Sequence, residues 1–189
     1  MSTKHKIAVF ASGQGSNFDA IASAASAADF PAEVVLLVCD KPQAKVCQTA
    51  TEYDIDSFVF SAKEFASKAD YERAIVEKCS KAGVELICLA GYMRIVGEEL
   101  LKAYRGRIIN IHPSLLPSFA GARAIEQAME YGVKVFGATI HYVDETLDGG
   151  KIIAQQAVEY DGNSIEEVTE MIHAIEHKLY IETIKKLLE

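Results

Sequence analysis

The sequence predicts an α/β protein with a single doubly wound, mainly parallel sheet and helices on both faces. Three observations predict it. Short apolar runs alternate with helical patterns through most of the chain. The runs Ile7–Ala11, Val34–Cys39 and Glu85–Ala90 are almost continuously apolar, as strands covered on both faces are. The chain has 189 residues, 50% hydrophobic and 24% charged, with no internal repeat, low-complexity segment or linker. One domain over residues 1–189 with one substantial core is therefore expected.

Taken in order, Ile7–Ala11 is the first strand, and Ser12-Gly13-Gln14-Gly15-Ser16-Asn17 opens a helical pattern that runs to about Ala27. Val34–Cys39 is the second strand, Ala44–Tyr53 a helix and Ser57–Phe60 a short third strand. Lys68–Ala82 is amphipathic with its charges on one face, which predicts a surface helix. Glu85–Ala90 is the fourth strand, Gly97–Tyr104 a short helix and Arg107–Ile111 the fifth strand. Gly121–Tyr131 is helical and is stopped by Gly132. The alternation then changes: Val135–Val143 and Lys151–Glu159 are both strand-like, so they read as a hairpin or neighbouring pair. Ser164-Ile165-Glu166-Glu167 is a capping box that opens a last helix reaching Leu188.

Composition excludes several classes of function. The net charge is 19 − 27 = −8, which argues against a nucleic-acid surface but not against a small anionic ligand held by local dipoles. The apolar run after Lys6 is too short for a signal-peptide core, and no stretch approaches the roughly 20 apolar residues of a membrane span, so a cytoplasmic protein is expected. Cys39, Cys47, Cys79 and Cys88 make no Cys-x-x-Cys site and read as reduced thiols. His173 and His177 are four apart on a helix but lack the zinc-protease pattern, so no metal is expected.

Chemistry concentrates at Arg107-Ile108-Ile109-Asn110-Ile111-His112-Pro113-Ser114-Leu115-Leu116-Pro117. Residues two apart on a strand share a face, so Asn110 and His112 converge at the carboxyl end of a strand. Ligands bind at that end of open α/β sheets. The alternative is a packed histidine with strand-end turn chemistry. Gly13-Gln14-Gly15-Ser16-Asn17 joins a strand to a helix start, where free N–H groups can hold a phosphate. It lacks the third glycine of a dinucleotide fingerprint and the Lys-Ser/Thr of a Walker loop, and a plain turn capped by Ser16 is the other reading. Asp148-Gly149-Gly150 is first of all a turn; Asp148 gains a role only if its loop lies over His112, where a carboxylate favours the charged imidazole. Leu89-Ala90-Gly91-Tyr92-Met93-Arg94-Ile95-Val96, past the fourth strand, reads either as core with one solvated Arg or as an apolar slot for a flat heterocycle.

Four segments occur in order: Ser12-Gly13-x-Gly15-Ser16-Asn17; Gly91-Tyr92-Met93-Arg94-Ile95; Asn110-Ile111-His112-Pro113-Ser114-Leu115-Leu116-Pro117; and Leu147-Asp148-x-Gly150, with Asp148 thirty-six residues (148 − 112) after His112. Together they resemble the phosphoribosylglycinamide formyltransferases, folate-dependent transformylases of purine biosynthesis, from about Ile7 to Tyr180. The resemblance implies a Rossmann-like formyltransferase fold and transfer of a formyl group from 10-formyltetrahydrofolate, a co-substrate, to the glycyl amine of glycinamide ribonucleotide. It implies Asn110, His112 and Asp148 as the catalytic set, and Gly15, Ser16 and Asn17 as phosphate contacts. Glu176 is implied as the acid that holds the ribose hydroxyls. Met93, Arg94, Ile95 and Val96 are implied as the folate-binding segment, with Leu89 and Tyr92 lining the slot and Arg94 acting through its backbone. The loop from Asp144 through Leu147 to Asp148 is implied to read the pterin ring. Lys68 stands where some members place an Arg near the folate glutamate tail, and offers a point charge without the bidentate fork. Ala120, Arg123 and Lys151 also depart from the family pattern without removing a catalytic group.

The implied partners are the two small-molecule substrates, with no nucleic acid and no membrane, and with a homodimer left open. The alternative on the same fold is a formyltetrahydrofolate hydrolase, which passes the formyl group to water. It resembles this family with a regulatory domain attached in front, for which a first strand at Ile7 leaves no room. A transfer-RNA formyltransferase would carry a further RNA-binding domain, and a non-catalytic nucleotide sensor would not need Asn110, His112 and Asp148.

Overall fold

The computed structural model describes residues 4–189. The elements in chain order are β1 (His5–Phe10), α1 (Ser16–Ala25), β2 (Ala32–Cys39), α2 (Lys45–Glu52), β3 (Ser57–Val59), a 3₁₀ turn (Ala62–Glu64), α3 (Lys68–Ala82), β4 (Leu86–Leu89), α4 (Glu98–Ala103), β5 (Ile108–His112), α5 (Ala124–Tyr131), β6 (Val135–Tyr142), β7 (Ile152–Glu159) and α6 (Ile165–Leu188). They form one seven-stranded sheet in the order β3-β2-β1-β4-β5-β6-β7. The first five strands pair in parallel and the last two join antiparallel. The winding reverses between β1 and β4, which places a ligand crevice at the carboxyl ends of those strands.

The near-continuous apolar strands have the expected cause. Ile7 and Val9 of β1 pack into the core beneath α1 and α6, while Ala8 and Phe10 pack into the core beneath α3 and α4. The same split separates Ile109 and Ile111 from Ile108 on β5. Tyr180 ties α6 to the sheet: it is fully buried, and its hydroxyl reaches the carbonyls of Leu89 (2.9 Å) and Ile109 (3.3 Å). A third, smaller cluster, with Ile125, Phe136, Val168 and Ile172, seats α5 and α6 against β6.

Three local expectations change. The helix expected from Gly121 begins at Ala124, because Gly121 (φ 86°) and Arg123 (φ 59°) are left-handed and cannot continue a helical turn. The 3₁₀ turn Ala62–Glu64, capped by Ser61, was not expected as an element. The capping box of α6 is half made: Ser164 Oγ accepts from Glu167 N–H at 3.2 Å, but Ser164 N–H donates to Tyr160 Oη and Glu167 accepts from that same phenol. No helix among the described residues is long and apolar enough to cross a membrane.

Candidate active site

Asn110 and His112 stand on β5 on the same face of the sheet, and the antiparallel register sets His141 of β6 opposite Asn110 and Thr139 opposite His112. His112 is buried, and both of its ring nitrogens face oxygen. Nε2 donates to the Phe119 carbonyl at 2.9 Å, and Nδ1 lies 3.5 Å from Asp148 Oδ2. Asn110 Nδ2 lies 3.1 Å from His141 Nε2. His141 Nδ1–H donates to the Tyr142 carbonyl at 2.9 Å, which leaves Nε2 as the acceptor for the Asn110 amide. One of the two Asn110 amide hydrogens is thereby used, and the other has no acceptor among the described residues.

Asp148 arrives by an indirect route. The loop after β6 starts beside the beginning of β5, where Val143 N–H bonds the Ile108 carbonyl. It then folds back along the sheet and brings Asp148 over His112. Asp148 is left-handed (φ 49°), a conformation Asp tolerates, and its Oδ2 accepts Gly121 N–H at 2.8 Å. Its Oδ1 lies 3.8 Å from His141 Nε2. One largely buried carboxylate thus lies beside His112 and His141 and holds the loop after β5.

The glycine loop opens α1 as a bare helix end. Gly15 is the N-cap residue, left-handed at φ 80°, and no side chain among the described residues caps the helix, so the Ser16-capped turn is not what forms. A Cβ at Gly15 would sit 2.5 Å from Val46 Cγ2, so both conformation and space demand glycine. Asp19 N–H bonds the Gly15 carbonyl, and the N–H groups of Ser16 and Asn17 before it have no acceptor among the described residues. The Asn17 side chain turns inward, donating to buried Glu176 Oε2 at 3.0 Å, while its own Oδ1 is buried without a partner. Burial pushes the Glu176 carboxyl above its usual value, opposed by the Asn17 hydrogen bond and by the nearby His173 and His112. His177, one residue on, has Nε2 buried without a partner, and burial lowers its pKa.

The end of β4 and the segment after it divide between core and surface. Leu89, Tyr92 and Val96 turn into the core beneath α3 and α4, Tyr92 edge-on to Phe10 at 5.3 Å. Met93 and Ile95 point outward, 69% and 71% exposed, and Leu147 on the Asp148 loop is 65% exposed. Arg94 is turned to Asp40, its Nε 2.8 Å from Oδ2, leaving its backbone outward. Lys68 is half-exposed and 3.9 Å from Glu72, and Asp144 Oδ1 accepts from Thr146 N–H at 2.8 Å within its own loop. No group of three or more His, Cys, Asp or Glu that could hold a metal occurs among the described residues. A hollow of about 330 Å³, lined by His5, Glu85, Arg107 and Tyr142, lies at the opposite, amino end of the strands and holds none of these residues.

The sequence reading missed His141 and Asp40. A signal for His141 existed: Thr139 and His141 interrupt the apolar run of β6 with the same two-residue spacing as Asn110 and His112 on β5.

Comparison with known proteins agrees with this fold. Residues 5–184 match the model of a family described as formyl transferase. A curated protein of Bacillus subtilis, phosphoribosylglycinamide formyltransferase, is 54% identical over 97% of this chain and 94% of its own length. The trifunctional purine biosynthetic protein adenosine-3 of Drosophila melanogaster is 42% identical over 92% of this chain, which matches 13% of that larger protein. The crystal structure of glycinamide ribonucleotide transformylase 1 from Geobacillus kaustophilus superposes with a TM-score of 0.96, at 49% identity over 99% of this chain and all of that one. A match over nearly the whole chain, with a relative 54% identical across 97% of it, establishes that the chain belongs to the formyl transferase family.

Proposed function

We propose that this chain transfers the formyl group of 10-formyltetrahydrofolate to the glycyl amine of glycinamide ribonucleotide, giving formylglycinamide ribonucleotide and tetrahydrofolate in purine biosynthesis. It does so as one catalytic domain in the cytoplasm. The observation that carries this reading is the Asn110, His112 and Asp148 cluster joined to the uncapped start of α1 through Glu176, which accepts from Asn17 and lies near His112.

The amine nitrogen attacks the formyl carbon, and negative charge develops on the formyl oxygen. Asn110, its amide plane held by His141, donates an N–H to that oxygen, and His112 donates from Nδ1, which Asp148 engages only at 3.5 Å while Nε2 stays on the Phe119 carbonyl. Preorganised donors of this kind are worth on the order of 10²–10³ each in rate. Asp148 holds the proton that leaves the amine and delivers it, through His112 or a water, to the departing folate nitrogen. The C–N bond to folate then breaks.

The phosphate of the nucleotide docks on the N–H groups of Gly15, Ser16 and Asn17 at the start of α1. Glu176 accepts from the ribose hydroxyls, and the unpartnered Asn17 Oδ1 takes a donor of the same substrate. Met93, Ile95, Leu147 and the outward backbone of Arg94, with Leu89, Tyr92 and Val96 beneath them, hold the folate ring; Asp144 belongs to the loop that reads the pterin, and Lys68 faces the glutamate tail.

The test is to mix the protein with 10-formyltetrahydrofolate and follow loss of the formyl group with glycinamide ribonucleotide, with a transfer RNA, and with water alone. Loss that depends on glycinamide ribonucleotide supports the reading. Equal loss in water alone would make the chain a hydrolase.

A further inference from the structure

A buried carboxylate outside the reacting cluster links the loops that hold the two substrates. Asp40 follows β2, Ser12 follows β1 and Arg94 follows β4, and these three strands are adjacent in the sheet. Asp40 is buried, and both of its oxygens are used. Oδ1 accepts from Ser12 Oγ at 2.5 Å and Oδ2 pairs with Arg94 Nε at 2.8 Å. Ser12 Oγ in turn accepts Met93 N–H at 2.9 Å, and Ser12 N–H donates to the Gly91 carbonyl at 3.1 Å. The Arg94 guanidinium lies over the Tyr71 ring at 5.6 Å.

The chemistry of this arrangement is specific. A carboxylate only accepts, so Asp40 obliges the Ser12 hydroxyl hydrogen to point at it. That leaves the Ser12 lone pair for Met93 N–H. The same carboxylate draws the Arg94 side chain inward, so residues 93 to 95 present backbone and the outward Met93 and Ile95 side chains. Two successive residues of one loop are thus tied to a single buried anion, Met93 through its N–H by way of Ser12 Oγ and Arg94 directly through its side chain.

We infer that Asp40 is a positioning residue for the folate side of the reaction: with Ser12 it fixes the backbone of Met93 and Arg94 in the shape the heterocycle meets. This rests on the proposed function, in that the ligand of that segment is a folate. It assigns no contact with either substrate to Asp40 itself. The phosphate loop has a tie of its own, Val46 N–H bonding the Gly13 carbonyl at 3.2 Å, so the effect falls on the folate and not on the nucleotide.

The experiment measures the dissociation constant of 5-formyltetrahydrofolate by calorimetry and the KM of glycinamide ribonucleotide by turnover, in parallel with the thermal midpoint. Asp40→Ala is expected to weaken the folate about tenfold, the loss of one buried charge-assisted contact, and to move the nucleotide KM by less than about twofold. Asp40→Asn still accepts from Ser12 without the charge and is expected to fall between; it carries the test should Asp40→Ala not fold. Arg94→Met is expected to weaken the folate in the parent but to add nothing in the Asp40→Ala background. Unchanged folate affinity in either Asp40 variant overturns the inference. So does additivity of Asp40→Ala and Arg94→Met, or a joint loss of both ligands that tracks the thermal midpoint. Parent protein that binds the folate but formylates no glycinamide ribonucleotide would instead sink the functional reading, with the Asp40 comparison still readable from the dissociation constants.

Discussion

Asp148 Oδ2 lies 3.5 Å from Nδ1 of His112, while the other nitrogen of that ring is fixed to the Phe119 carbonyl. The distance is within ion-pair range and longer than a good hydrogen bond, so a small movement of either side chain makes or breaks the contact. A carboxylate held this loosely on the imidazole, yet firmly on Gly121 N–H, suits the proton transfer proposed for it.

Asp148→Asn keeps the shape and removes the charge. It is expected to lower kcat on the order of 10²–10⁴-fold, the range of lost acid–base catalysis, with both KM values little changed. Steady-state kinetics on the purified variant checks this. A fully active enzyme would return Asp148 to the status of a turn residue.

His141 touches the amide of Asn110 and not the reacting atoms, so its removal frees the amide plane. His141→Ala should lower kcat about tenfold, a loss of about 1.4 kcal/mol in the transition state, with KM unchanged. His141→Gln, which can still offer an acceptor, should recover part of it. Equal activity of parent and His141→Ala would show that Asn110 is held by its strand alone.

Gly15 carries both a left-handed backbone and a neighbour that a Cβ would meet at 2.5 Å. Gly15→Val is expected to cost about 1–3 kcal/mol of stability. It should also raise the nucleotide KM by about tenfold or more, because the first N–H groups of α1 are displaced from a phosphate. Denaturant unfolding and kinetics with both substrates check it; an equal loss of folate affinity would contradict the assignment of this loop to the phosphate.

Glu176 is a buried acid whose pKa is raised by its burial. Such a group contributes most to folding while protonated, and its contribution falls as pH climbs from the ordinary carboxyl value through the raised one. Glu176→Gln keeps an oxygen for Asn17 and has no charge to bury. Parent and variant should therefore melt together below about pH 4, and the variant should melt higher at pH 8 while binding the nucleotide more weakly. Thermal melts across that range test the stability half, and parallel curves would contradict it.

Much of this architecture is local in origin and so was legible in the residues. Strands such as Val34–Cys39 announce double coverage by being apolar throughout, and Lys68–Ala82 carries its own cap and left-handed stop at Ser67 and Gly83. Asn110 and His112 converge because strand parity is a local rule. His141 and Asp40 depend on which strands become neighbours and in which direction, which no local pattern fixes. The left-handed Phe119, Arg123 and Asp148 are non-glycine residues without a local signal, and they shape the loops around the site. At α6 a local rule was outcompeted: Tyr160 takes both groups that a full capping box would have joined.

The most direct measurement is the mass of the product. Purified protein is incubated with 10-formyltetrahydrofolate carrying a ¹³C-labelled formyl group and with glycinamide ribonucleotide, and the nucleotide is recovered and weighed by mass spectrometry. The predicted result is a nucleotide heavier by one labelled formyl group in place of one amine hydrogen, formed in step with tetrahydrofolate and lost in Asp148→Asn. Labelled formate with unchanged nucleotide would contradict the account.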